Sequence, residues 1–377
     1  MRGLDNTAVG TPIGTRLASW RRRRGLSPDD LASRAGLELD YVTGLETGRE
    51  WMDRRGRLAA LAAALRLDVA DLTGQPYPPH GEDHAAVRAV AFHLRHRLDH
   101  HHPRTAPSLS LEDLEERIRA AVQAEAAGDE RQLALTLPGL IEMTDRAVAA
   151  APTPEREETQ RLRVQAHVLG AGLLRRLGYK DLAWVLLHKA RAGTHERLPM
   201  LVEEVRLLIE LGLPQHALTR VHPEGAAGWE LPALGAVAQA MVGRRLEAEK
   251  FLATASARAT DARESALVVA ARAAVAAEYG DSSEASDHAR SADQAGLGGA
   301  HRSDLLVVAA GAEARQGRAE RAVTHLVEAD AEAPLRLRLA PFAQELITAL
   351  ANRATSRAVA TQELDEVRVL AERAGLR

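Results

Sequence analysis

Near the N-terminus, apolar residues recur at the three- and four-residue spacing of amphipathic helices. "IGTRLASWRRRRGLS" sets Ile13, Leu17 and Trp20 on one helical face. Ser27-Pro28-Asp29-Asp30 is a helix start: Ser27 can accept from a free backbone N–H, Pro28 suits the first helical position, and the aspartates favour the positive end of the helix dipole. That short helix ends near Arg34, Gly36 permits a left-handed turn, and a second helix runs from about Glu38 to Glu46. Leu31, Ala32, Ala35, Leu37, Val42 and Leu45 stand where two short helices meet at a steep angle, which is the helix-turn-helix pattern. "RLAALAAALRLDVADLTG" adds two further helices, with Leu58, Leu61, Leu65, Val69 and Leu72 facing the core. The pattern predicts a five-helix domain over residues 12–75.

"GQPYPPHGED" then breaks the periodicity, which resumes near Ala85, and residues 76–109 read as a linker carrying a histidine-rich helix. From residue 110 onward helix follows helix without a convincing strand, starting at Ser110-Leu-Glu-Asp. A glycine followed five residues later by an alanine recurs at Gly178/Ala183, Gly212/Ala217, Gly243/Ala248, Gly280/Ala285 and Gly317/Ala322, the glycines spaced by 34, 31, 37 and 37 residues. In four of these the alanine is followed at +4 and +7 by Leu187/Ala190, Leu252/Ala255, Ala289/Ala292 and Leu326/Ala329; the Ala217 repeat has Glu224 at +7. The glycine suits a tight turn between antiparallel helices and the alanine their closest approach, so residues 110–377 are predicted to be a solenoid of helix pairs. A weaker repeat begins at Gly128/Leu133, and Pro334 opens a final pair that caps the stack.

The fold class is therefore all-α, and composition agrees. Of the 377 residues 46% are hydrophobic but only 3% aromatic, so the core must be made of small aliphatic side chains. There is no cysteine, which excludes disulfides, zinc-thiolate sites and thiol nucleophiles. The net charge of −3 means that any nucleic-acid contact must come from local clustering. The most apolar run, "ALVVAARAAVAAEYG", is interrupted by Arg272 and too short to span a bilayer, and no signal peptide is visible, so a soluble cytoplasmic protein with no membrane partner is expected. His93, His96 and His100 share a helical face, but without a nearby carboxylate arrangement they read as a polar face and not a metal site. "GLGGAHRSD" at 296–304 follows no strand and precedes no lysine, so it is an inter-repeat loop and not a phosphate cradle. No catalytic residue and no cofactor are implied.

The N-terminal domain resembles the XRE (Cro and phage-repressor type) DNA-binding family over roughly residues 12–75. The resemblance implies a structural pair between Arg21 of "WRRRRG" and Glu46 of "GLETG", and a recognition helix reading the major groove through Glu38, Leu39, Asp40, Thr43 and Gly44. Family members commonly carry glutamine where Pro28 stands and Gln, Arg, Ser or Thr along the exposed recognition face, whereas here that face is acidic and apolar. Carboxylates accept from the cytosine amino group, and Leu39 or the Thr43 methyl can touch the thymine methyl. Phosphate grip is expected from Arg22, Arg23 and Arg24 and from Arg49, Arg54, Arg55 and Arg57 in the following loop. Eleven arginines against nine acids over residues 12–75 leave the domain only weakly basic.

The C-terminal repeats resemble the tetratricopeptide (TPR) repeat, whose second helix carries A-x3-F-x2-A after a turn glycine; here Leu or Ala stands in the Phe place and the larger consensus residues of the first helix are poorly kept. The TPR register projects Gln165, Val168, Gly172 and Arg175, then Val202, Arg206 and Ile209, then Ala233, Val237 and Ala240, then Leu267, Ala270 and Ala274 onto a concave face, with Arg175 and Arg206 as anchors for a carboxylate. The combination resembles XRE regulators of filamentous actinobacteria and peptide-responsive regulators, which implies a homodimer bound to double-stranded DNA whose solenoid senses a peptide, a small molecule or a protein. Such receptors hold peptide backbone with asparagines, and this chain has only Asn6 and Asn352. A second reading stays open: an interaction scaffold whose helix-turn-helix no longer reads DNA.

Overall fold

A computed structural model of the chain describes residues 11–99, 110–191, 198–221, 228–356 and 362–376. Those residues contain helices and no strand, and no helix among them is long and apolar enough to cross a membrane. The N-terminal unit is α1 (Pro12–Arg23), α2 (Pro28–Ala35), α3 (Leu39–Thr47), α4 (Arg55–Leu65) and α5 (Val69–Thr73). Ser27 caps α2 through a reciprocal box, its Oγ accepting from Asp30 N at 3.0 Å while the Asp30 carboxylate accepts from Ser27 N at 3.0 Å. Ile13, Leu17, Leu31, Val42, Leu45, Leu58, Leu61, Leu65 and Leu72 close one small core around these five helices.

Next comes α6 (Gly81–Asp99), in the segment expected to be a linker. It is no spacer: Val87, Val90, Ala91 and Leu94 enter the same core as α7 (Leu111–Ala127), α8 (Glu130–Ala150), α9 (Arg156–Arg176) and α10 (Lys180–Ala190). His93 and His96 lie on its outer side against the Phe92 ring, and His100 is outside the described residues. The helix pairs continue as α11 (Leu198–Glu210) with α12 (Pro214–Arg220), α13 (Glu230–Met241) with α14 (Arg245–Arg258), α15 (Ala262–Tyr279) with α16 (Ser282–Gln294), and α17 (Gly299–Arg315) with α18 (Ala319–Glu332). Every repeat glycine lies between the two helices of a pair in the left-handed region, from φ 73° at Gly212 to 89° at Gly178. Ala183, Ala217, Ala248, Ala285 and Ala322 are all buried at the approach of the paired helices, as the spacing required. Gly128/Leu133 joins α7 to α8 in the same manner, so this weaker repeat is a full member of the stack. The chain ends in α19 (Pro334–Leu339), α20 (Pro341–Ser356) and α21 (Gln362–Arg373).

The stack is not an open arc. Its first pair returns to its last, with α7 packed against α17 and Gly128 so close to Ala333 that a Cβ at this glycine would lie 2.4 Å from the Ala333 Cβ. Charge joins the seam: Arg336 approaches Glu125 and Glu130 at 3.6 Å while holding Asp304 at 2.7 Å. Helix pairs far apart in the chain thus close a ring, and the N-terminal unit sits on it.

Candidate nucleic-acid interface and central cavity

The N-terminal unit faces the ring with one side only. Glu278, at the end of α15, accepts from Arg55 N at 2.9 Å and Gly56 N at 2.6 Å, capping the otherwise open N–H groups at the start of α4. Glu345 of α20, fully buried, accepts from Ile13 N at 2.6 Å and Met52 N at 3.3 Å, capping α1 in the same way. Burial pushes the Glu278 carboxyl up, against the pull of Arg55. Burial likewise pushes Glu345 up to about 7, against the hydrogen bonds from Ile13 and Met52. Arg315 completes the seam: it donates to Asp53 at 2.6 Å and to Trp51 O at 3.0 Å, pairs with Glu50, and stacks 3.7 Å from the centre of the Trp51 ring. Gln75 reaches across to Arg176 O at 3.2 Å and Leu339 O at 3.1 Å.

The opposite side of the unit carries α3 and is open. Glu38, Leu39 and Asp40 are exposed, Leu39 by 43% of its surface. Asp40 is paired with Arg49 at 2.6 Å, which offsets one of the two acidic charges on this surface. Thr43, half-buried, turns its hydroxyl back onto Leu39 O at 3.0 Å, so its donor is already engaged. Gly44 is a correction to the expected reading face: it is buried, and a Cβ there would lie 2.7 Å from Glu50 Cγ, so the Glu50 side chain covers it. Arg22, Arg23 and Arg24 are exposed at the end of α1, and Arg34 is exposed at the end of α2 without having been singled out from the sequence. Behind them Arg21 forks onto Glu46 at 2.5 and 2.7 Å and donates to Leu26 O at 2.8 Å, locking α1 to α3.

Residues 12–73 match the helix-turn-helix domain family. Among solved structures, the chain is similar to a tetratricopeptide repeat protein from Parabacteroides merdae ATCC 43184, with 17% identity over 69% of this chain and 98% of that one and a TM-score of 0.36. It is also similar to PlcR of Bacillus thuringiensis, solved in complex with the peptide PapR7 and DNA, with 12% identity over 86% of this chain and 96% of that one and a TM-score of 0.35. No curated protein matches it.

Three arginines expected to hold phosphate are placed elsewhere. Arg54 points into the seam, donating to Tyr279 O at 3.4 Å, and burial lowers its pKa. Arg55 lies over the Phe342 ring at 5.3 Å, and Arg57 lies over Tyr41 at 4.2 Å, inside the helix-turn-helix domain. The expectation fails because these guanidiniums follow the recognition helix, and proximity in the chain says nothing about the ring packed on that loop.

Between domain and ring lies a cavity of about 400 Å³. Of the residues projected onto the concave face, Arg175, Ile209, Leu267, Ala270 and Ala274 line it. Gln165, Val168, Gly172, Val202, Arg206, Ala233, Val237 and Ala240 do not: Val168, Val202 and Val237 pack between helix pairs, and Arg206 pairs with Glu230 at 3.3 Å. Arg175, expected as a free anchor, is buried and already taken by Glu203 at 2.6 Å and by Glu210. Lys180 also lines the cavity and was missed, because its place beside a turn glycine gives no sign that it faces inward.

Proposed function

We propose that the protein is a DNA-binding transcription regulator whose ring of TPR-like helix pairs senses a ligand and positions the helix-turn-helix domain. One observation carries the reading: the domain is fastened to the ring by Glu278, Glu345 and Arg315 on one side, while α3 and the Arg22–Arg24 cluster stay exposed on the other. A domain held this way presents its recognition helix at a fixed angle, which suits reading a groove. Affinity then rests on Arg22, Arg23, Arg24 and Arg49, supported by Arg34, since phosphate contacts provide most of the binding energy and fix register. Discrimination rests on Glu38, Leu39, Asp40 and the Thr43 methyl. Such domains read half-sites one helical turn apart, so the working form is a cytoplasmic homodimer on a near-palindrome.

The test is fluorescence anisotropy of the purified protein on its own upstream region and on random DNA, with a salt titration. Saturable, sequence-preferring binding with a steep salt slope supports the reading. Replacing Arg22, Arg23 and Arg24 by alanine should weaken binding to both DNAs and reduce the slope of log K against log salt by about 0.9 for each phosphate that the variant no longer neutralises. A second reading, a scaffold whose helix-turn-helix serves packing, draws support from the engagement of Arg54, Arg55 and Arg57 away from the open face. Absence of sequence preference on a genome-wide selection would favour it.

A further inference from the structure

The central cavity has the size of sites that enclose small organic ligands. Its wall is mostly apolar, made by Leu267 and Ala274 of α15 and Leu305 and Val308 of α17, facing Leu58 and Val69 of the helix-turn-helix domain. Of the six guanidiniums on its lining, four are matched by carboxylates: Arg175 by Glu203 and Glu210, Arg176 by Glu130, Arg315 by Asp53 and Glu50, and Arg336 by both oxygens of Asp304; Arg54 lies 3.9 Å from Asp53 and donates to Tyr279 O, and Arg55 lies over the Phe342 ring. Lys180 stands apart. It is 7% exposed, and its ammonium, with three protons to donate, makes one hydrogen bond, to the backbone oxygen of Glu210 at 3.0 Å. Burial lowers its pKa, against the pull of Glu210, which is the condition that a bound anion relieves.

We propose that this cavity binds a small amphipathic carboxylate, its anionic group on Lys180 and its apolar body along the wall formed by α15 and α17. A single carboxylate is what the one ammonium of Lys180 can match. This deepens the ligand-sensing part of the proposed function and rests on it. Leu58, Val69 and Arg54 of the helix-turn-helix domain share the lining, so an occupant touches domain and ring together, and such differential contact is what a coupled response requires.

The experiment titrates the full-length protein, without DNA, with octanoate, 1-octanol and octylammonium in a calorimeter. Octanoate should bind at least about tenfold more tightly than octanol, as expected for a charge-assisted contact in a buried site, and octylammonium more weakly than either. Lys180→Met should bring octanoate down to the level of octanol and leave octanol unchanged, Lys180→Arg should keep the preference for octanoate, and Ala274→Phe should abolish binding of both. The inference is overturned if octanoate does not bind the wild-type protein, if octanol binds equally well, or if Lys180→Met retains the preference. DNA anisotropy on the same ligand-free samples is scored separately, so failure of DNA binding and failure of the cavity to take a carboxylate are distinct results.

Discussion

Replacing Glu345 by glutamine asks what a buried carboxyl does at the seam. Its side chain is fully buried, receives Ile13 N and Met52 N, and faces Arg16 and Tyr77 as its charged and titratable neighbours. Burial holds it near 7, against 4.5 ordinarily. Between those two values the folded chain therefore keeps a proton that the unfolded chain gives up, so its contribution to stability is greatest below pH 4.5 and is lost as pH rises through 7. At about 1.4 kcal/mol per tenfold change in proton affinity, the loss between pH 5 and pH 8 is on the order of 2–3 kcal/mol. Glutamine keeps an acceptor for Ile13 N and does not titrate. Other groups of the fold, including His84, His167 and His301, whose pKa values burial lowers, also make stability depend on pH. The quantity to follow is therefore the difference between variant and wild type, measured by urea unfolding at pH 5, 6, 7 and 8 with Trp fluorescence, because Trp51 is buried in this seam. The variant should gain on the order of 2–3 kcal/mol relative to wild type on going from pH 5 to pH 8. Parallel pH profiles would refute the reasoning.

Two further perturbations probe the same seam. Arg315→Ala removes the pairs with Asp53 and Glu50 and the stacking on Trp51; with the arginine side chain 22% exposed, the cost should be about 2 kcal/mol, seen as a lower urea midpoint and faster proteolysis at the domain–ring junction. An unchanged midpoint would mean that these pairs do not hold the domain in solution. Gly280→Ala and Gly296→Ala both force alanine into the left-handed region, at φ 87° and 82°, each at a backbone cost of about 1 kcal/mol. Only at Gly280 would the new Cβ meet the docked domain, 2.0 Å from Arg54 Nη2, so its melting temperature should fall further than that of Gly296→Ala, where nothing lies within 4 Å. Equal shifts would argue that Arg54 does not occupy the seam.

Much of this protein was legible locally. Ser27, Gly36 and the apolar positions of α2 and α3 specify the helix-turn-helix through capping, turn conformation and helical period, which act over a few residues. The Gly/Ala spacing specifies the helix pairs for the same reason, and even Gly128/Leu133 follows it. The Arg21–Glu46 pair was visible because a family motif carries both residues. Tertiary structure alone decided the rest. That the solenoid closes into a ring depends on small rotations accumulated over successive pairs, and none of them is written in a single repeat. Docking of the domain depends on partners as distant as Ile13 and Glu345, 332 residues apart. Where the carboxylates fell decided how the cations expected on the inner face are held: Glu203 and Glu210 took Arg175 and Glu230 took Arg206, while Lys180 donates to a backbone oxygen. Helical period and turn chemistry are properties of neighbours in the chain, whereas charge pairing and closure are properties of neighbours in space, and only folding brings those together.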